Sequence, residues 1–304
     1  MTADAHAAAA RAAVQRSLAG QRRPLREYVF HLALLVSVAL ALAFLVALLS
    51  YVVVHGWDRL DANLFLNQPT ALLRRIDEAG VQSAIFGTLW VISLTALFCI
   101  PTGVLAAIYL EEYGRREMWF NRLIELNIQN LAAVPSIVYG ILALGLIARP
   151  PLNLGFTVIT AALTLSLLVL PILIISSREA IRAVPNSIRD GSLALGATQW
   201  QTIRRQVLPV AVPGIATGTI LALSRAIGEA APLLLLGAVQ FVTFNPSGPD
   251  SSYTVLPIQI FNLATRPQEG FRTLGWAAII VLLAILLLMN SVAIAVRNRY
   301  QKRW

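Results

Sequence analysis

Six apolar runs, each long enough to cross the hydrocarbon of a bilayer, divide this chain. They fall at about residues 28–54, 83–110, 125–148, a stretch ending near Ser176, 210–239 and 274–296. A helix rises about 1.5 Å per residue, so about 20 apolar residues cover a hydrocarbon core of about 30 Å. Inside lipid every backbone N–H and C=O needs a partner within the protein, and a run of this length meets that need as a helix. The expectation is an all-α membrane protein with six transmembrane helices. Composition agrees: 57% of residues are hydrophobic and only 13% charged, against about a quarter charged in a soluble domain.

Six spans put both termini on one side. Read with the N-terminus inside, the inner segments hold Arg11, Arg16, Arg22, Arg23, Arg26, Arg115, Arg116, Arg122, Arg178, Arg182, Arg189, Arg204, Arg205, Arg297, Arg299, Lys302 and Arg303. The outer segments hold Arg59, Arg74, Arg75, Arg149, Arg266 and Arg272. Positive charge collects on cytoplasmic loops, so the reading places both termini in the cytoplasm of a cell-membrane protein. The net charge of +9 then reflects topology and not nucleic-acid binding. The chain divides into a basic cytoplasmic segment at 1–27, a membrane domain at 28–296 and a basic cytoplasmic tail at 297–304. Within the domain an inner loop covers 177–209 and an outer loop 240–273.

Several chemistries find no support. The single cysteine, Cys99, lies in an apolar run and reads as a small packed residue. His6, His31 and His55 are far apart and have no metal-ligand spacing. The only lysine, Lys302, is far from any glycine-rich loop, so the chain cannot hold a P-loop. No nucleophile and base pair up within the spans. The Ala- and Arg-rich N-terminus lacks the pattern of a cleaved signal.

Against this background LALSRAIGEAAPLLLLGA, residues 221–238, stands out for carrying Arg225 and Glu229. A charge at mid-bilayer costs about 2.5–3.5 kcal/mol on insertion scales, so such residues normally face a bundle interior or a watery path. Four residues apart, the two share a helical face. Arginine suits an oxyanion, because its planar fork donates two parallel hydrogen bonds and stays ionised. Glu229 would orient the guanidinium while no anion is there. The competing reading is a structural ion pair that fixes packing against another helix.

The inner stretch DGSLALGATQWQTIRRQVLP, residues 190–209, reads as two short helices around Gly196, with Pro209 at the start of the next span. They form a partly apolar knuckle that either docks a cytosolic partner or rests on lipid headgroups. Prolines 101, 135, 171, 213 and 232 imply kinked spans. Gly214 and Gly218, one turn apart, suit close helix contact. In the outer loop, VLPIQIF is expected to fold back on the bundle as a short helix.

The 190–209 stretch resembles the EAA loop of ABC-importer permeases, E-A-A-x3-G-x9-I-x-L-P. Aligned on Gly196, the E-A-A positions hold Asp190, Gly191 and Ser192, Gln206 replaces the isoleucine, and Leu208-Pro209 closes the motif. Residues 87–113, 130–144, 193–238 and 255–264 are similar to the PstA family of phosphate-uptake permeases, above all at SRAIGEAAPLL. The resemblance implies a type I ABC-importer permease fold and a role as one half of the phosphate pathway. It implies that Asp190, Gly191, Ser192, Leu195, Gly196, Ala197, Leu208 and Pro209 couple to an ATPase, and that Arg225 and Glu229 line the pathway. It also implies four kinds of neighbour: a second permease resembling PstC, two copies of a cytosolic ATPase resembling PstB, an extracytoplasmic phosphate-binding protein resembling PstS, and membrane lipid. This chain would carry no cofactor; ATP and Mg would bind the ATPase. The rival readings are a permease for molybdate or sulfate, and a secondary transporter driven by an ion gradient through Glu229.

Overall fold

The computed structural model describes residues 25–114, 118–238 and 241–300. Most of the N-terminal segment, Arg115, Arg116 and the last four residues of the tail therefore lie outside the described residues. Within them the chain is helical, with no strand.

Helix α1, Leu25–Gly56, is a unit of its own up to Val54 and carries no Asp, Glu, Lys or Arg between Tyr28 and Val54. The second unit begins at His55 and contains everything discussed below.

Its central pair is α2, Gln82–Ile108, and α5, Val158–Arg182. Every fourth residue of α2 is small or β-branched and buried: Ser83, Gly87, Val91, Thr95, Cys99, Gly103 and Ala107. Lipid is as apolar as leucine, so membrane helices associate by close packing along such stripes. Cys99 is part of it, packed as expected. The hydroxyl of Thr95 donates to Val91 O at 2.8 Å, which satisfies it without leaving the helix.

The third run is not one straight span. Helix α3, Trp119–Ala132, and α4, Ser136–Ala143 with its π-turn extension to Ala148, meet at 104°. Pro135 cannot donate to the helix behind it and pushes Val134 out of helical backbone, so the expected continuous helix over 125–148 breaks there. The structure thus has five long apolar helices among the described residues, or six when this bent pair counts as one span.

The knuckle also departs from expectation. One limb is a separate helix, α6, Asn186–Ala194. The other limb is the first turn of α7, Gln199–Gly228, which runs unbroken into the span. Pro209 lies inside α7, not at its start. A π turn at Ile203–Val207 precedes it, where a regular turn would aim a carbonyl at a proline without an N–H. Two turns further along, Gly214 faces Ala180 and Gly218 faces Ser176, so α7 packs on α5 through the expected small spacing.

Helix α7 ends at Gly228, well short of the expected 239. Glu229 is extended, at φ −81° and ψ 111°, and a short helix α8, Ala231–Leu235, follows. Pro232 in its first turn has no N–H for Gly228 O, which explains the stop. The outer loop then crosses the ends of two spans: Val158 N donates to Ser251 O and Ser83 Oγ to Val242 O. The expected short helix is present as α9, Leu256–Ala264, with Leu256, Ile258 and Leu263 buried. Helix α10, Glu269–Tyr300, is the last described element and begins before the expected 274.

Apolar clusters sit at opposite ends of α2. One joins Val81 and Ala84 to Leu256, Phe271 and Leu274. The other joins Ala107 and Ile108 to Ile181, Val184, Ile203 and Val207, directly beneath the knuckle. The outer loop and the knuckle therefore mark the two ends of the bundle.

Candidate functional site

Arg225 lies in the last turn of α7 and Glu229 just beyond it. The sequence reading put them on one helix; the structure keeps the pair and replaces the helix by a break. Arg225 Nε donates to Glu229 Oε1 at 3.2 Å. The arginine side chain is 41% exposed and the carboxylate 18%, so the fork opens away from this chain while its partner is held inside.

A second break packs against the first. Gly140 of α4 touches Pro232 of α8 so closely that a Cβ would stand 2.7 Å from the Pro232 Cα. Tyr139 precedes it in α4 and is buried. Its hydroxyl donates to Leu131 O at 2.8 Å, pinning the bend between α3 and α4. Two interrupted spans thus meet beside one cation. Interrupted backbone inside a membrane protein is tolerated where it is buried in protein or lines a cavity.

At the other end, Gly196 turns the chain with φ +83°. Glycine reaches that conformation without a Cβ penalty. Ser192 and Thr202 hydroxyls meet at 2.9 Å across the turn, and Thr198 caps α7 in a reciprocal box with Gln201. Gly191, Ser192, Leu195 and Ala197 line one groove of about 420 Å³ with Ile188, Gln201 and Arg205. Leu195 is 91% exposed at its rim and Trp200 is exposed nearby. Asp190 is exposed outside the groove, and Leu208 and Pro209 lie further along α7, away from it.

The sequence reading missed the layer beneath the knuckle. A π turn, Tyr109–Tyr113, ends α2 and carries Glu111 and Glu112, whose side chains are only 5% and 8% exposed. Glu111 accepts from Arg182 Nε and Nη2, each at 3.0 Å, and lies 3.5 Å from Arg178 Nε. Arg178 also pairs with Glu125 of α3 at 3.2 Å. Glu112 accepts from Arg189 Nη2 at 2.8 Å and Nε at 3.1 Å. The available signal was a pair of glutamates at the end of an apolar run, opposite three arginines at 178, 182 and 189. Nothing in the linear pattern says which charges meet.

Fold and site together define a multi-pass helical membrane component: interrupted spans beside a charge, and an exposed knuckle braced at one end. Residues 99–303 match the family described as binding-protein-dependent transport system inner membrane component. The chain belongs to that family, and its role is that of a transport-system permease subunit, not of an enzyme.

Two relatives bear on the finer reading. The phosphate transport system permease protein PstA 1 of Mycobacterium tuberculosis (strain CDC 1551 / Oshkosh) is 32% identical over 279 residues, covering 91% of this chain and 90% of the relative. The phosphate transport system permease protein PstA of Haemophilus influenzae is 31% identical over 256 residues, covering 84% of this chain and 88% of its own. Among solved structures, a bacterial ABC transporter involved in the import of alginate superposes with a TM-score of 0.65 at 18% identity, over 91% of this chain and 97% of that one. The fold is that of an ABC-importer permease.

Proposed function

We propose that this chain is the permease subunit of an ATP-driven importer of inorganic phosphate. One observation carries the reading. Arg225 opens at a helix break in an otherwise apolar span, in a chain that shares 32% identity with a phosphate permease over 91% of its length. A phosphate arriving at the break takes two parallel hydrogen bonds from the guanidinium. Glu229 holds the fork in place between passages and keeps the path from becoming a permanent anion trap. The open side of Arg225 faces a second permease resembling PstC, which completes the pathway.

The knuckle meets the ATPase. Its groove, with Leu195 at the rim, receives a cytosolic subunit resembling PstB, which binds ATP and Mg. Asp190, Gly191, Ser192, Gly196 and Ala197 form the turn that presents this edge. On this reading the knuckle and both termini are cytoplasmic, in line with the arginine distribution, and the loop after residue 240 receives a phosphate-binding protein resembling PstS.

The test is uptake of labelled phosphate by proteoliposomes holding the copurified complex, with ATP inside and binding protein outside. Uptake that needs ATP and is not competed by excess sulfate or molybdate is expected. Competition by either oxyanion would reassign the substrate. Uptake by this chain alone under an ion gradient would end the ABC reading.

A further inference from the structure

Helix α6 has no fully buried residue, and among the described residues its apolar anchor is the half-buried Ile188. So short a helix needs another attachment if its displacement is to move anything. Arg189 supplies it. Beyond its bonds to the Glu112 carboxylate, its Nη1 donates to Val184 O at 2.6 Å and its Nη2 to Ile181 O at 2.9 Å. Ile181 O lies in the last turn of α5, where it also accepts from Val184 N at 3.2 Å, and Val184 O lies just past the helix end. Glu112 reaches the other limb as well: its backbone carbonyl accepts from Gln199 Nε2 at 2.7 Å. One carboxylate residue at the end of α2 therefore holds both limbs of the knuckle, and the arginine it binds closes the end of α5.

We propose that Glu112 and Arg189 form a positioning clamp that makes the knuckle and the near ends of α2 and α5 move as one body, so that ATPase motion reaches the pathway. The inference rests on the importer reading above. Apolar contacts such as those of Ile181, Ile203 and Val207 are non-directional and allow sliding, whereas charge-assisted forked hydrogen bonds fix both distance and angle. The neighbouring Glu111 extends the clamp through Arg178 to Glu125, which brings the interrupted span α3 into the same layer. A pull on the knuckle is thereby delivered to three spans, including one of the two breaks beside Arg225.

The test uses hydrogen exchange on the whole copurified complex, free of nucleotide and with ATP bound but not hydrolysed. In the wild type, ATP should change protection both in residues 186–209 and in the helix ends at 105–113 and 176–184. In Glu112→Gln the knuckle should still respond, while the response of the helix ends falls by at least half. Anion transported per ATP hydrolysed should fall about ten-fold, with hydrolysis retained. A Glu112→Gln complex whose helix ends respond as in the wild type would overturn the clamp. If that variant does not assemble, Arg189→Lys keeps the charge and loses the fork, and an assembled Lys variant with wild-type transmission would overturn it equally. The two readings fail differently. A wild-type chain that copurifies with no ATPase defeats the importer reading and the clamp with it. An ATP-responsive wild type matched by Glu112→Gln defeats the clamp alone.

Discussion

Gly140 rests on the backbone of Pro232, with its absent Cβ directed 2.7 Å from the Pro232 Cα and 2.8 Å from its carbonyl oxygen. The contact joins the two interrupted spans, and both sides of it are backbone, which cannot rotate out of the way. Gly140→Val is expected to push α4 from α8, at a cost of about 1–3 kcal/mol for overpacking. Membrane abundance of the complex should fall, and transport should fall further than abundance. Gly145, with nothing among the described residues within 4 Å of its Cβ position, is the control: Gly145→Ala should leave both unchanged. Equal tolerance of the two substitutions, read by quantitative blotting and uptake, would show that the contact is dispensable.

The knuckle offers a different kind of glycine. Around Gly196 the Cβ position is open, so a side chain meets no clash and only the positive φ resists it. Aspartate tolerates that backbone better than most residues, at a cost of about 1–2 kcal/mol. Gly196→Asp should therefore fold and reach the membrane, yet place a carboxylate on the edge of the docking groove. The expected result is loss of the ATPase on mild detergent extraction, or hydrolysis that no longer drives uptake. Normal copurification with coupled transport would remove the groove from the interface.

The loop that crosses the outer ends of the spans carries Tyr253, which is buried and whose hydroxyl finds no hydrogen-bond partner among the described residues. Burial pushes its phenol above the usual tyrosine range, so it stays neutral at any physiological pH. An unsatisfied buried hydroxyl costs about 1–3 kcal/mol. Tyr253→Phe is accordingly expected to raise the melting temperature of the detergent-solubilised complex, or leave it unchanged, without loss of uptake. A destabilised Phe variant would reveal a partner for the hydroxyl in the assembled transporter.

The long apolar helices were legible because each is a run of fixed length and sign, and Arg225 with Glu229 was legible because charge is rare in such runs. The helix breaks were not. Pro101, Pro171 and Pro213 lie inside continuous helices, whereas Pro135 and Pro232 stand beside interruptions. The same residue type gives both outcomes because neighbours decide whether the freed carbonyl finds another partner. The clamp was invisible for a related reason. Glu112 and Arg189 are 77 residues apart, and their meeting depends on where α6 returns to the end of α2. The turn at Gly196 was legible, since a single residue type and its spacing carried it.

The last prediction concerns Arg225 itself. If the guanidinium meets the passing anion, both its charge and its geometry matter. Arg225→Gln should assemble and lose nearly all phosphate uptake. Arg225→Lys keeps the charge, loses the fork, and should retain little activity. Glu229→Gln removes the acceptor that holds Nε at 3.2 Å but leaves the donor, so the loss should be smaller, about ten-fold or less in rate. A purely structural pair gives another pattern. Removing either partner leaves the other charge uncompensated, so both single variants would misassemble, and an apolar double replacement would restore the fold. The Arg225 side chain is 41% exposed on this chain, which leaves its open side free for an anion. Uptake measured for the three single variants and the double, each normalised to complex in the membrane, separates the cases. Assembled but inactive Arg225→Gln fits a pathway residue, and a double apolar variant that transports phosphate at the wild-type rate excludes one.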